Sequence, residues 1–344
     1  MAHALQKHQN PRNLVRTMNY SPYFKLLASI VDQSQYLDEA TSHMLYSALF
    51  DAGLPELESG AFIAYTHARP ASLQEMLGMQ RALAERATQL RLPQRDLSPI
   101  LIPTYCGTVN YPNLTALLAL LLQRYEIPVL LHGTLEGHGG VATAYVLREF
   151  NILPSGSAQH AQSCMDQDSL AFVPTAVLSP GLAQLLALRT RLGLSNQDYY
   201  PPSLLDPFAG QGLHLSNVPD VTQAELLREV YCTTGHSALL FRGTEGEPFA
   251  NPTHRPALEL VSNGDHVVLF DDESDRGHIA TRMPRNINLT STTTWIKQAL
   301  SGKVAIPHPI LNQLACCLFA SGYTKDMHQA KAIAAMSAGG LVGA

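Results

Sequence analysis

The chain has 344 residues, of which 46% are hydrophobic and 15% are charged, and its formal net charge is −5. This low charge content and slightly acidic balance exclude a globally basic nucleic-acid binder of the histone kind and a disordered polyampholyte. The length suits two domains or one large α/β unit.

The first 20 residues form a basic arm with Lys7, Arg12 and Arg16 and no acidic residue. Such an arm is either a disordered leader or a basic tail for polyanions. It lacks the apolar core of a signal peptide, and the most apolar run, residues 114–122, is too short to cross a bilayer. Five cysteines without a CxxC pair indicate a reducing compartment. We therefore expect a soluble cytoplasmic protein with no membrane partner.

Residues 21–95 are predicted to form an all-helical domain. Apolar residues recur at steps of three and four from residue 23 onward, and further helices are predicted at 38–49, 57–68 and 72–90. Ser72 is a suitable N-cap for the last of these, with Glu75 completing a capping box.

The pattern changes at residue 96 to alternating strands and helices. Short apolar strands at 99–103 and 128–131 flank a helix at 114–125, which is a βαβ unit. Further strands are predicted at 169–173, 238–241 and 266–270, and further helices at 180–192, 222–233, 292–301, 309–321 and 327–337. The predicted fold is α/β, with an N-terminal all-helical domain and a larger domain over 96–344 built on a central, mainly parallel sheet.

Two loops follow the first two strands of this domain and are candidates for anion binding, because loops at the carboxyl ends of parallel strands expose backbone N–H groups. Glycines permit close approach of a ligand to the backbone, and neutral polar side chains offer hydrogen bonds. The candidate residues are Gly107, Thr108 and Asn110 in the first loop and His132, Gly133 and Thr134 in the second.

The order of these motifs resembles the anthranilate phosphoribosyltransferase family, also called glycosyltransferase family 3, over about residues 20–340. The resemblance implies a fold of the nucleoside phosphorylase/phosphoribosyltransferase class and a homodimer formed through the helical domain. We also expect the segment around 175–205 to pack with the helical domain. In the family, a Gly-Thr-Gly-Gly-Asp-Gly loop cradles the pyrophosphate of phosphoribosyl pyrophosphate, and Lys-His-Gly-Asn-Arg ends the second strand. An arginine holds anthranilate, and an Asp-Glu pair binds Mg²⁺.

The family's functional residues carry over only in part. The matches are Gly107 and Thr108 for the first Gly-Thr, His132 and Gly133 for the His-Gly, Arg189 for the substrate arginine, and Glu245 and Glu247 near the Mg²⁺ pair. Leu131 stands where the family has its lysine, and Thr134 where it has an asparagine. The family's lysine is thus replaced by an aliphatic residue, its glycine loop is truncated and its metal pair is spaced apart. Each of these three losses could cost roughly 2–4 kcal/mol of transition-state stabilisation, by analogy with removing one oxyanion donor.

Three segments, 112–122, 178–182 and 242–248, are more similar to a branch of this family that lacks the enzyme's signatures. Members of that branch are nucleic-acid-binding homodimers with a positively charged groove, which here would draw on arginines of the arm and of the end of the helical domain. These candidates are Arg12, Arg16, Arg81, Arg86, Arg91 and Arg95.

Two functions remain open from the sequence. The first is a protein with a degenerate phosphoribosyl pyrophosphate site that binds nucleic acid rather than catalysing. The alternative is an active Mg²⁺-dependent phosphoribosyltransferase acting on anthranilate or another aromatic acceptor. Mg²⁺ is a cofactor only in the second case, and another small anion is a third possible ligand.

Overall fold

The computed structural model describes residues 20–24, 36–137, 139–196, 199, 201–273 and 283–338. Residues 21–24 are helical, and the rest of the predicted first helix lies outside the described residues. The helices that follow are α1 (Glu39–Phe50), α2 (Glu56–His67) and α3 (Leu73–Ala84). The predicted capping box at the start of α3 is present, since the side chains of Ser72 and Glu75 each accept a hydrogen bond from the other's backbone N–H.

Helix α3 ends at Ala84, earlier than the predicted residue 90. The segment beyond it donates its backbone N–H groups to other parts of the chain: Thr88 to the carbonyl of Leu178 at 2.7 Å and Leu90 to that of Pro207 at 2.8 Å. These distant acceptors replace the carbonyls of a continuing helix. Sequence periodicity reports which residues face a core and contains no information about such acceptors, so it extended the helix too far.

The larger part of the chain is built on a seven-stranded sheet. Its strands are β1 (Ile100–Thr104), β2 (Val129–Gly133), β3 (Leu170–Pro174), β4 (Leu213–Asn217), β5 (Ser237–Phe241), β8 (Leu258–Ser262) and β9 (Asp265–Phe270). They lie in the order β3-β2-β1-β4-β5-β8-β9. Strands β1 to β5 pair with one another in parallel, and β8 and β9 extend the sheet in antiparallel fashion. The expected mainly parallel sheet is confirmed. A separate hairpin pairs β6 (Gly243–Thr244) with β7 (Glu247–Ala250).

Four of these strands, β4, β6, β7 and β8, are absent from the sequence prediction. Strand β4 contains a buried histidine and a buried serine, so its sequence lacks the continuous apolar run that would predict a buried strand. Both are satisfied by distant partners, because His214 Nδ1 lies 2.8 Å from the Ser203 carbonyl and Ser216 Oγ lies 2.7 Å from the Tyr231 hydroxyl.

Helices cover both faces of the sheet. They are α4 (Thr115–Arg124), α5 (Thr143–Arg148), α6 (Ala158–Asp168), α7 (Thr175–Leu178), α8 (Pro180–Arg191), α9 (Val221–Thr234), α10 (Leu289–Leu300), α11 (His308–Ala320) and α12 (Met327–Ala338), with a 3₁₀ turn at Pro201–Leu204. Alternation along the strands sends Ile100 and Ile102 into one core with α4, α10 and α11, and Leu101 into the other with α8, α9 and the N-terminal helices. None of the described helices is long and apolar enough to span a membrane.

The candidate loops are brought together by this topology. Strands β1 and β2 pair in parallel from Ile100 opposite Val129 to Thr104 opposite Gly133, so they end side by side. The strand order changes direction at β1 and β4, and a topological switch point of this kind opens a crevice beyond the carboxyl ends of the strands.

Candidate phosphate-loop site

The loop after β1 and the loop after β2 are joined by backbone hydrogen bonds. Thr108 N–H donates to the Val141 carbonyl at 3.3 Å, and Val141 N–H donates to the Thr108 carbonyl at 2.8 Å. The Asn113 side-chain amide donates to the same Val141 carbonyl at 2.9 Å. The two loops predicted from sequence therefore form one continuous wall.

The β6–β7 hairpin reaches this wall with a two-residue turn. Glu245 and Gly246 have φ of 52° and 84°, which is the left-handed pair that a type I′ hairpin turn requires. Glycine adopts this conformation without steric cost, whereas glutamate at the first position does so at some cost. The turn places the carboxylates of Glu245 and Glu247, both expected near a metal, against the loop that follows β1.

Glu247 is completely buried, and its carboxylate accepts hydrogen bonds from five groups. Oε1 accepts from the backbone N–H of Cys106 at 2.9 Å and of Gly107 at 2.7 Å. Oε2 lies 2.6 Å from the hydroxyl of Thr104 and 3.1 Å from those of Thr115 and Thr143. Successive N–H groups pointing into a concavity form a nest for an anion, and here the anion is a side chain of the protein itself.

Glu245 occupies the next two donors of the same loop. Its Oε2 accepts from Val109 N–H at 2.5 Å and its Oε1 from Asn110 N–H at 2.9 Å. Four backbone N–H groups between residues 106 and 110 are thus directed at two carboxylates from one hairpin. This use of the loop could not be deduced from the sequence, because the hairpin lies more than 130 residues further along the chain.

His132 is completely buried at the end of β2, where its Nδ1 lies 2.8 Å from the Tyr105 hydroxyl. Burial lowers its pKa to about 3, helped by repulsion from His214 and opposed by Asp206. Its Nε2 has no hydrogen-bond partner among the residues that the structure describes. The imidazole is therefore neutral at ordinary pH and supplies no positive charge to the site.

Gly133 and Thr134 line a cleft of about 690 Å³ at the ends of β2 and β3. The Thr134 hydroxyl donates to the Glu136 carbonyl at 2.8 Å, and it also lies within reach of the Tyr105 carbonyl. The other polar residues lining the cleft are Glu136, Thr175, Thr190 and Asn196. The described residues that line this cleft include no lysine or arginine.

Arg189 lines a second cavity of about 510 Å³ between the helical domain and the α/β domain. Its guanidinium donates to the Asn196 side chain and the Ser195 carbonyl, each at 2.9 Å, and stacks 3.6 Å from the centre of the Tyr199 ring. Burial lowers its pKa. The predicted substrate arginine is thus separated from the cleft of Gly133 and Thr134, although its partner Asn196 lines that cleft.

The candidate arginines for nucleic acid fall into two groups. Arg12 and Arg16 lie outside the described residues. The other four each have an acidic partner: Arg81 with Glu85 at 3.3 Å, Arg86 with Asp51 at 2.7 Å, Arg91 with Asp166 at 3.6 Å, and Arg95 with Glu126 at 2.8 Å. Only Arg81 belongs to helix α3, and Arg86, Arg91 and Arg95 lie in the segment that follows it.

Sequence reasoning missed the threonines that surround Glu247. Thr104 ends β1, Thr115 begins α4 and Thr143 begins α5, and all three are buried. A threonine at the end of an apolar strand and two at helix starts are common features of α/β proteins, so only their convergence distinguishes them.

The comparisons with known proteins agree with this architecture. No family model matches the chain. The uncharacterized protein YbiB of Escherichia coli (strain K12) is 31% identical over 306 residues, covering 89% of this chain and 95% of that protein. Anthranilate phosphoribosyltransferase of Syntrophomonas wolfei subsp. wolfei is 24% identical over 327 residues, covering 90% and 92% of the two chains.

Solved structures of the same class superpose along most of the chain. Anthranilate phosphoribosyltransferase from Thermus thermophilus gives a TM-score of 0.70 at 17% identity, covering 89% of this chain and 92% of that one. The enzyme from Saccharomyces cerevisiae in complex with PRPP and Mg gives 0.68 at 12% identity, covering 92% and 93%. These likenesses establish the fold as that of the phosphoribosyltransferase/nucleoside phosphorylase class. With the sequence similarity to YbiB and to the enzyme, they show that the chain belongs to the anthranilate phosphoribosyltransferase-like family.

Proposed function

We propose that this chain is an anthranilate phosphoribosyltransferase-like protein that does not transfer a phosphoribosyl group and that binds nucleic acid instead. The observation that carries the first part is Glu247, whose carboxylate takes the backbone donors of Cys106 and Gly107. A phosphoribosyl donor would need these same N–H groups for its pyrophosphate. A second anion at this position would also be repelled by the buried carboxylate.

The surroundings offer little to balance a phosphate charge. Leu131, at the position of the family's lysine, is a buried aliphatic residue of β2. The described residues lining the adjacent cleft contribute the carboxylate of Glu136 and no cationic side chain. Transfer of a phosphoribosyl group depends on stabilising the charge of the departing pyrophosphate, and this site supplies negative charge instead.

The two hairpin carboxylates do not fit a Mg²⁺ ion either. Mg²⁺ requires free oxygen lone pairs in a near-octahedral arrangement. The oxygens of Glu245 and Glu247 already face N–H and O–H hydrogens, which a cation would have to displace. We therefore assign no step to a metal at these residues.

Calorimetric titration with phosphoribosyl pyrophosphate and Mg²⁺ tests this part. We expect no heat of binding and no anthranilate-dependent product. In Glu245→Ala the N–H groups of Val109 and Asn110 become available, so we expect weak binding of pyrophosphate that the wild type lacks. Glu56→Ala, which removes an exposed acid from α2, is the control for the change in net charge. Saturable, Mg²⁺-dependent binding by the wild type would support the active-enzyme alternative and overturn the proposal.

Nucleic acid binding is supported by the acid-free arm and by the exposure of two arginines. The side chains of Arg81 and Arg91 are 61% and 82% exposed, and their ion pairs at 3.3 and 3.6 Å are long. Exposed pairs of this kind contribute little to stability, so phosphate can replace the carboxylate. Arg86 and Arg95, at 24% and 29% exposed with shorter pairs, are less available. A homodimer, expected from the family, would double the number of phosphate contacts.

Fluorescence anisotropy with labelled single-stranded and duplex DNA tests this second part. We expect affinity to fall linearly with salt on logarithmic axes, as counterion release dictates. The double variants Arg12→Ala/Arg16→Ala and Arg81→Ala/Arg91→Ala should each reduce the slope for duplex DNA by about 1.8 per chain, at ~0.9 for each lost contact. The control Lys303→Ala/Lys325→Ala removes two exposed cations outside this group. Absence of binding at micromolar protein in low salt would overturn the proposal, and equal losses in all three variants would contradict the arginine assignment.

A further inference from the structure

A cluster of one aspartate and two histidines lies near the amino ends of the parallel strands, away from the loops that follow β1 and β2. His214 is the second residue of β4, and His236 immediately precedes β5. Both therefore lie at the amino ends of parallel strands, whereas the loops containing Gly107 and Gly133 follow the carboxyl ends of β1 and β2. Asp206 comes from the loop between the 3₁₀ turn and β4. The cluster is independent of the proposed function.

The potential ligand atoms of the three side chains converge. Asp206 Oδ2 lies 3.5 Å from His214 Nε2 and 4.0 Å from His236 Nε2, and all three atoms lie within 4.8 Å of one another. Bonds of ~2.0–2.1 Å in a tetrahedral zinc site place neighbouring ligands about 3.4 Å apart. The Asp206–His214 separation is close to this value, and the Asp206–His236 separation is longer.

His214 is held in the orientation that a metal ligand requires. Its Nδ1 lies 2.8 Å from the Ser203 carbonyl oxygen, which can only accept, so this nitrogen carries the proton. In the neutral ring the lone pair is then on Nε2, which is fully buried and lies 3.5 Å from Asp206 Oδ2. The described part of the chain gives this nitrogen no hydrogen-bond partner. Donation of the second ring nitrogen to a carbonyl is the usual way in which proteins fix the tautomer of a metal-binding histidine.

Asp206 is buried, and its carboxylate accepts hydrogen bonds from two backbone N–H groups, that of Phe208 to Oδ1 at 2.7 Å and that of Gly210 to Oδ2 at 2.6 Å. These two donors orient the carboxylate and leave further lone pairs on Oδ2 for a cation.

From this geometry we propose that Asp206, His214 and His236 bind a divalent transition-metal ion, with Zn²⁺ the best match to two imidazoles and one carboxylate. His236, whose side chain is 16% exposed, is the most accessible of the three and provides the route of entry, with a fourth position left for water. The ion would join the loop before β4, β4 itself and the start of β5.

The competing explanation for the same geometry is an ion pair between Asp206 and a doubly protonated His214. It would leave Nε2 as a donor to the carboxylate at 3.5 Å, which is long for a charge-assisted hydrogen bond. It also gives His236 no role. The two explanations differ in whether metal changes the stability of the chain.

The test uses the full chain without an affinity tag, dialysed first against a chelator. We expect it to bind one equivalent of Zn²⁺ and to show visible d–d absorption when Co²⁺ is titrated instead. Zn²⁺ should raise the unfolding temperature, and chelator should reverse the rise. His236→Gln should weaken Zn²⁺ binding at least about tenfold, the lower bound for disturbing even an outer partner of a metal ligand.

The matched control is His254→Gln. His254 Nε2 lies 3.4 Å from Asp272 Oδ2 in an exposed pair, and the described residues provide no third ligand there. This variant should still bind one equivalent of Zn²⁺. A wild-type chain that binds no Zn²⁺ stoichiometrically, or whose stability does not respond to Zn²⁺, overturns the proposal. Retention of wild-type affinity by a folded His236→Gln chain, checked by circular dichroism, also overturns it.

Discussion

His132 lies at the end of β2 without access to water, and the structure gives it a hydrogen bond only through Nδ1. At the same scale, Glu247 is a buried acid that accepts hydrogen bonds from five donors in three segments of the chain. A buried charge that loses its donors is costly, which explains why threonines and backbone N–H groups enclose it. The sequence analysis names both residues as candidate site residues, and in the structure their hydrogen bonds are to other groups of the chain.

The pKa of His132 predicts a pH-dependent stability. Its pKa is about 3 in the folded chain against a usual 6.5. Between these values the unfolded chain binds a proton that the folded chain does not. The contribution of His132 to the free energy of unfolding is therefore fully present above pH 6.5 and decreases as pH falls. The loss is about 1.4 kcal/mol per pH unit for one such group.

Urea unfolding at pH 7 and pH 5 measures this dependence. We expect His132→Asn to reduce the loss of stability between the two pH values by about 2 kcal/mol relative to the wild type. His160→Asn, at an exposed position of α6, is the control and should leave the difference unchanged. An identical pH dependence in wild type and His132→Asn would contradict the prediction.

At the scale of elements, the packing of α1 on α3 depends on close contact at Gly78. A Cβ atom at this position would lie 2.4 Å from the Glu39 carbonyl oxygen and 2.7 Å from the His43 nitrogen. Both contacts are to backbone, which cannot rotate away as a side chain can. The two helices would have to separate to accept any larger residue.

We therefore expect Gly78→Ala to lower the free energy of unfolding by about 1–3 kcal/mol, the usual cost of overpacking, despite the better helix propensity of alanine. Gly60 in α2 has open space around its Cβ position. Gly60→Ala should therefore be neutral or stabilising by up to about 1 kcal/mol. Denaturant unfolding measures the free energy of unfolding of both variants. Equal changes at the two glycines would show that helix propensity outweighs packing.

At the scale of the whole molecule, one apolar cluster joins the helical domain to the sheet. It contains Leu45, Phe62 and Leu83 of the N-terminal helices together with Leu101 and Leu130 of the central strands. The helical domain has no separate core among the described residues. The N-terminal helices and one face of the sheet therefore share one apolar core.

This shared cluster predicts a single cooperative unfolding transition. Trp295, the only tryptophan of the chain, lies in the other core on the far face of the sheet, so its fluorescence reports on the α/β domain. We expect its midpoint in denaturant to coincide with that of far-ultraviolet circular dichroism, which also reports on the N-terminal helices. Loss of helical signal before the fluorescence change would show that the helical domain unfolds separately.

Much of the fold follows from local features of the sequence. Alternating apolar runs and helical periodicity located β1, β2, β3, β5 and β9 and most helices to within a few residues, because these elements bury continuous apolar faces. Strand β4 was missed because His214 and Ser216 are polar residues whose partners come from elsewhere in the chain. Helix α3 was extended too far because its last turn is replaced by hydrogen bonds to Leu178 and Pro207.

The sequence by itself determined the types of most elements and the positions of the loops after β1 and β2. Only the tertiary structure decided what those loops hold. Glu247 meets Thr104 across 143 positions of chain and Gly107 across 140, and the ligand atoms of Asp206, His214 and His236 converge only in the folded chain. The physical reason is that periodicity records which side faces a core, whereas the partner of each polar group depends on the order of strands in the sheet.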